Sequence, residues 1–261
     1  MMISVEVNSK FLKRLVRVDF YNNQKGNFGG TVNLLLVNDG QDLVVMNFEN
    51  ILLKAGTDVT LKPLLVAAIH CSADRNHEYG MSVGSDFKGW GSKAGLYERF
   101  IIDELVPFIK MKYASVVIEE IAYAGFSLGA LSAFDISWNH PEIFKRVAVF
   151  SASFWWRSVD KDEKTYDPWL HRMMHRQVAA TEMRPGMKFF FECGEHDEEE
   201  DRNRNGVIDA IDDTIDIMRL LLHKGYLEGR DFKYLQMPDG RHDVASWAKA
   251  FPTFLKWAYR R

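Results

Sequence analysis

The sequence predicts an α/β chain with a mainly parallel central sheet and helices on both faces. Three observations carry this: short apolar runs recur along the 261 residues, helical patterns fall between them, and several runs are apolar throughout, as strands covered on both faces are. Sheets of this kind reach such a length as one unit, and no repeat, low-complexity tract or linker divides the chain. The expected organisation is one domain over residues 1–261.

The elements follow in order. LVRVDFY (15–21), TVNLLLVND (31–39) and LLVAAIHC (64–71) read as the first strands, and YERFIIDELVPFIKMKY (97–113) as the first long helix. IAYAGF (121–126) and LGALSAFDISWNH (128–140) form a strand and helix joined by one corner, and RVAVFSA (146–152) continues the sheet. KFFFECG (188–194), the helix IDDTIDIMRLLLHKG (211–225), the strand FKYLQM (232–237) and the helix VASWAKAFPTFLKWAYR (244–260) complete the alternation. Residues 157–186, with Tyr166, Trp169 and the MMH run at Met173, break the rhythm after a strand end. They are expected to form a helical, cap-like excursion over the top of the sheet.

Composition narrows the partners. A net charge of −3 and a pI near 6.3 supply no basic field for nucleic acid or anionic lipid, and no apolar run approaches a membrane span. MMISVEVNSKFLKRLVRVDFY lacks the unbroken apolar core of a signal peptide, so the expected location is cytoplasmic. Cys71 and Cys193, each at a strand end, read as two buried thiols rather than a disulfide framework.

GFSLG, residues 125–129, matches the nucleophile elbow GxSxG, in which a strained strand-to-helix turn lifts a serine out of the sheet. Flanking glycines remove side chains that would clash at the corner. Ser127 is the candidate nucleophile, and it requires a base and an orienting carboxylate later in the chain, in the order serine, acid, histidine. KFFFECG runs into GEHDEEED at the edge where open α/β sheets gather their sites. Asp197 is the favoured acid, with Glu195 and Glu198 as competitors that spacing does not separate. His242, on the loop after the last strand, is the favoured base; His70 lies before the elbow and His196 is crowded by acids. The oxyanion needs two backbone donors. Leu128 follows the serine, and in LLLVNDGQD the glycine Gly40 is expected to bend the chain so that the Gln41 amide faces it.

Taken together, LLLVNDGQD, RNHEY (75–79), ELVPFI (104–109), GFSLG, HPEIFKRVAVFSASFWW (140–156), GEHD and the late GRHD resemble, in order and over most of the chain, the esterase family that includes enterochelin esterases, esterase D, feruloyl esterase domains and the mycolyl transferases. The resemblance implies an α/β-hydrolase fold with Ser127, Asp197 and His242 as a triad and Gln41 and Leu128 as oxyanion donors. It also implies that Asp39 lies close to the site and that Trp155 or Trp156 lines the substrate pocket, core packing being the other reading of the tryptophans. Arg75 and Glu78 are expected to form an ion pair beneath the loop. The family's substrates span siderophore, acyl-sugar and feruloyl esters and thioesters, so a small-molecule ester is expected; the sequence is silent on oligomeric state.

A second constellation follows the acidic turn. DRNRNGVIDAID, residues 201–212, places oxygen ligands at Asp201, Asn203, Asn205, the Val207 carbonyl, Asp209 and Asp212, with Gly206 at the sharp turn and Ile208 as an apolar anchor. This is the spacing of an EF-hand or dockerin-like calcium loop, with aspartate in place of the usual final glutamate. Such an ion is read as structural, because an all-oxygen site is poorly suited to activating water for ester attack, and catalysis itself is expected to need no cofactor.

The expected activity is serine-dependent carboxylic ester hydrolysis through an acyl-enzyme. An acyltransferase with the same triad, or a non-catalytic calcium-binding module on the same fold, are the alternatives.

Overall fold

The computed structural model describes residues 2–23, 30–57 and 61–261. Among these, eight strands form one sheet: β1 (Ile3–Ser9), β2 (Arg14–Asn22), β3 (Gly30–Asn38), β4 (Leu64–Ile69), β5 (Val116–Phe126), β6 (Phe144–Phe150), β7 (Lys188–His196) and β8 (Phe232–Arg241). Their spatial order is β1-β2-β4-β3-β5-β6-β7-β8. β1 and β2 pair antiparallel, β2 joins β4 antiparallel, and every pairing from β4 to β8 is parallel. The C-terminal ends of β3, β5, β6, β7 and β8 therefore share one edge.

β1 is the strand the sequence reading missed. Its ISVEVNS alternates apolar and polar residues at the sheet margin, with Ile3 49% exposed, so it lacks the continuous apolar signature of the central strands.

Helices are α1 (Asp42–Val45), α2 (Phe48–Thr57), α3 (Arg75–Glu78), α4 (Ala94–Arg99), a π-helical turn at Phe100–Leu105, α5 (Val106–Lys112), α6 (Leu128–Asn139), α7 (Pro168–His171), α8 (Met173–Ala180), α9 (Asp209–His223) and α10 (Val244–Tyr259). Successive strand side chains point to opposite faces, and the core divides accordingly. Leu34, Leu36, Tyr123, Phe189 and Phe191 pack with α6 on one face, whereas Leu35, Val37, Ala124, Phe150 and Phe190 pack with Phe251 and Phe254 of α10 on the other. α6 is buried from Leu128 to Trp138, which pins the start of this helix beneath the sheet edge.

The excursion after β6 is helical, carrying α7 and α8. It is latched from below: Arg172, 1% exposed, donates to Asp213 at 2.5 Å and Asp216 at 2.8 Å on α9. Both cysteines are free thiols; Cys193 is buried and Cys71 half-buried.

Candidate active site

Three non-glycine residues at the ends of adjacent strands have left-handed backbone angles: Asp39 after β3 (φ 58°), Ser127 after β5 (φ 55°) and Ser151 after β6 (φ 47°). Each such angle costs about 1–3 kcal/mol and persists only where the surroundings over-determine it. The sheet edge is where that strain is concentrated.

Ser127 is held in the corner by its backbone. Its amide donates to the Phe150 carbonyl at 2.9 Å, and its carbonyl accepts from the amides of Ala130 at 3.1 Å and Ser153 at 3.2 Å. The glycines of the corner are sterically required. A methyl on Gly125 would meet the Gly129 carbonyl group, and one on Gly129 would lie 2.5 Å from the Asp39 carboxylate. Asn38 bolts the same corner to β3: its side-chain amide donates to the Gly129 carbonyl at 2.7 Å, while its oxygen accepts from the hydroxyls of Tyr97 and Tyr123 at 2.7 and 2.8 Å.

Leu128 is the first residue of α6 and Gln41 immediately precedes α1, so both amides belong to helix starts, which have no intrahelical acceptor. The expected bend at Gly40 is realised differently. Asp39 takes the left-handed angle, and Gly40 is needed because a side chain there would strike the backbone of Ala68 and Ile69 at 2.7–2.9 Å.

Asp39 lies beneath the site rather than in a pocket wall. It is 1% exposed and accepts two hydrogen bonds of 2.7 Å from Arg75. The expected Arg75–Glu78 pair does not form: Glu78 is taken by Arg14 of β2 at 2.6 Å, because β2 passes directly beside α3. Burial opposes the Arg75 charge, but the hydrogen bonds and the charge of Asp39 act against it, and the Arg75 pKa is raised.

The parallel register of β7 and β8 pairs His196 with Arg241, so Asp197 and His242 are the first residues past the ends of neighbouring strands. Burial raises the Asp197 pKa, countered by the Ser151 hydroxyl, the Gly194 amide at 3.1 Å and the charge of His242. Its Oδ1 is buried without a hydrogen-bond partner. His242 leaves part of its ring open to solvent, yet packing lowers its pKa, while Asp197 acts to raise it. Among the described residues, the His242 ring makes no hydrogen bond to Ser127 or Asp197. Its edge contact is with Trp247, at 5.4 Å between ring centroids; Trp247 in turn stacks at 5.0 Å on Phe126, the residue before Ser127. The loop after β8 thus folds back toward the serine.

The competitors are engaged elsewhere. Glu195 accepts from Gln236 at 2.8 Å, Glu198 accepts from the Ala210 amide at 2.5 Å, and His70 contacts Asp19 at 2.7 Å, away from the elbow. Trp156 is fully buried with its ring against Gly80 and Gly91, so it has no surface to offer a ligand. Trp155, half-buried, lines a cavity of ≈ 350 Å³ with Phe87, Lys88, Arg157 and Tyr166.

In the 201–212 loop, Asn203 and Asn205 converge on the Asp212 carboxylate at 2.7 and 2.9 Å, and Asp201 receives the Gly206 amide at 2.9 Å. Asp209 departs from the expected ligand set. It is 6% exposed at the start of α9, and its carboxylate takes the Arg202 amide at 2.9 Å and faces the Arg202 guanidinium at 3.5 Å. No group of three or more His, Cys, Asp and Glu side chains gathers for a metal among the described residues.

Ser151 and Trp247 touch this site and were not anticipated. A serine at a strand end and a tryptophan inside a helix pattern carry no local signal of such a role.

A mainly parallel sheet, a strained serine between strand and buried helix, and an acid and a histidine just past the last two strands define an α/β-hydrolase. The chain belongs to the esterase family: the family model described as "Putative esterase" matches residues 9–258. Among solved structures it is similar to the enterobactin esterase FES from Shigella flexneri (17% identity, TM-score 0.72, covering 98% of this chain and 58% of that one). It is also similar to the siderophore hydrolase EstB from Aspergillus nidulans (16%, TM-score 0.69, 100% and 97%). A third similar structure is described as a ferulic acid esterase (17%, TM-score 0.67, 98% and 96%). The chain spans less than three fifths of the length of the Shigella esterases it matches. A search of curated proteins found no match. Among the described residues, no helix is long and apolar enough to cross a membrane.

Proposed function

We propose that the chain hydrolyses a small carboxylic ester through Ser127, His242 and Asp197. The observation that carries this is the pairing register that sets Asp197 beside His242, with the buried Asp197 Oδ1 left free to accept the imidazole N–H. His242 takes the Ser127 proton as the hydroxyl attacks the ester carbonyl, and the tetrahedral oxyanion rests on the amides of Leu128 and Gln41. His242 then gives its proton to the departing alcohol, leaving Ser127 acylated. Water, deprotonated by the same imidazole, releases the acid. Asp197 keeps the imidazole in one tautomer and stabilises its cation. Half-buried Trp155 is the proposed wall of the substrate pocket, and the similarity to proteins named for enterobactin and ferulic acid supports an ester with an aromatic acid part.

The test is fluorophosphonate labelling together with turnover of short-chain nitrophenyl, feruloyl and catecholate esters. Ser127 is expected to be labelled, and Ser127→Ala to lose both the label and a factor of about 10⁴ or more in kcat. Retention of turnover by Ser127→Ala would sink the reading.

A structural calcium on Asp201, Asn203, Asn205 and Asp212 is a second proposal, supported by the ligand spacing of the loop and by the gathering of these side chains in one turn, where the asparagines meet Asp212 through their amide N–H groups. When bound, calcium would supply cross-linking charge to the segment between Asp197 and α9. It has no part in the chemical steps.

A further inference from the structure

We propose that Arg157, with Lys88 beside it, determines specificity by selecting esters whose acid part carries a carboxylate. The proposal rests on the ester-hydrolase reading above and deepens it. Arg157 is held between two aromatic rings, its guanidinium carbon 4.7 Å from the Phe87 ring centroid and 5.6 Å from that of Trp155. Lys88 repeats the pattern, its Nζ 5.3 Å from the Phe87 centroid and 5.2 Å from that of Trp90. Rings take a guanidinium by its faces and leave its N–H edges free, and those edges are the part that forks onto a carboxylate.

The protein itself leaves these donors nearly unmet. The Arg157 side chain is 14% exposed, yet among the described residues its guanidinium has one acceptor, Asp160 at 3.4 Å, and its Nε is buried with no partner. Lys88 makes ring contacts and has no carboxylate within ion-pair reach among the described residues. Both cations line the cavity of ≈ 350 Å³, and the buried and half-buried acids around it have closer engagements: Glu200 with Lys161, Asp209 with the Arg202 amide at 2.9 Å, and Glu198 with the Ala210 amide at 2.5 Å. The unbalanced positive charge of the cavity is therefore at Arg157 and Lys88.

Chain geometry puts this charge within reach of the nucleophile. Ser153 donates its amide to the Ser127 carbonyl at 3.2 Å, and Arg157 follows four residues later, a stretch that spans at most about 14 Å. Trp155 lies between them, and Glu198, which lines the same cavity, directly follows Asp197. An acid part that runs from Ser127 past Trp155 ends at the guanidinium. The Arg157 carbonyl accepts from the Phe87 amide at 3.0 Å and its backbone bridges Arg172, which α9 latches, so the cation is placed before substrate arrives.

The experiment measures kcat/KM for the nitrophenyl half-esters of glutaric, adipic and suberic acids, each against the neutral nitrophenyl ester of equal chain length. It compares the parent chain with Arg157→Met, Arg157→Lys and Lys88→Met. In the parent, at least one half-ester is expected to exceed its neutral partner by roughly tenfold or more, mainly through a lower KM, and the advantage should shrink at high salt. Arg157→Met should abolish the advantage while keeping the neutral ester within about threefold of the parent, and Arg157→Lys should retain part of it. Lys88→Met, a change at an exposed position, should cut the advantage by roughly threefold. Turnover of neutral esters with no half-ester preferred at any length, or an Arg157→Met loss equal for charged and neutral esters, would overturn this inference and leave the triad standing. Turnover surviving in Ser127→Ala, or none with either series, would remove both.

Discussion

Arg75 grips Asp39 through two parallel hydrogen bonds of 2.7 Å, and the gripped residue begins the turn that presents the Gln41 amide. The Gln41 side chain completes the clasp, donating to Asp39 Oδ1 at 3.2 Å and accepting from the Cys71 amide at 3.2 Å. The proposed oxyanion donor is thereby tied to a buried ion pair. Replacing Arg75 with methionine would strand the Asp39 carboxylate. The expected loss is about 2–4 kcal/mol in urea denaturation, below the full value for a buried pair because the Arg75 side chain is 28% exposed. In steady-state kinetics kcat should fall more than KM rises, since the donor serves the transition state. Arg75→Lys should recover little, as an ammonium lacks the two-pronged geometry.

The elbow's second glycine makes a sharper steric prediction. In Gly129→Ala the new methyl would lie 2.5 Å from Asp39 Oδ2 and 3.1 Å from Asn38 Cβ. Neither neighbour is free to move, because Arg75 holds one and two tyrosine hydroxyls hold the other. Stability is expected to drop by about 1–3 kcal/mol, with kcat/KM reduced even where the chain remains folded. Wild-type kcat/KM in this variant would show that the corner tolerates a side chain.

Glu192 predicts a pH dependence of stability. Burial, with the Asp197 charge adding to it, pushes its pKa up to about 8, while the unfolded chain ionises it in the ordinary glutamate range. Between those values the folded protein holds the proton and the unfolded chain does not, so stability present in acid is lost progressively as pH rises to about 8. Glu192→Gln keeps the shape without the titration. Its melting temperature relative to the parent should climb from pH 5 to pH 8 and level off above; a constant difference across that range would contradict the assignment.

The 201–212 loop predicts a response to ions. Millimolar calcium should raise the melting temperature of the parent chain by mass action, chelator should reverse it, and Asp201→Ala or Asp212→Ala should remove the effect. No response in the parent would mean that the convergence on Asp212 is a hydrogen-bonded turn and nothing more.

What could be read directly from the residues was whatever a local pattern encodes. Continuous apolar runs identified the central strands because a strand buried on both faces has no polar side to show, and GFSLG marked the corner because Gly125 is required by a collision with Gly129 and Ala130, within six residues of chain. β1 escaped because a marginal strand needs only alternate apolar residues. The choice among polar partners was decided by tertiary structure alone. Arg75 had Glu78 three residues away, yet met Asp39 instead, because β2 brought Arg14 to the glutamate. Trp155 and Trp156 are adjacent and face opposite environments. The choice of Asp197 over Glu195 and Glu198 is proposed from the register of two strands more than thirty residues apart, and Ser151 meets an indole 96 residues away. Burial preference is a property of each residue and survives in a linear string. Hydrogen-bond partnership depends on distances of a few tenths of an ångström between segments that only the folded sheet brings together.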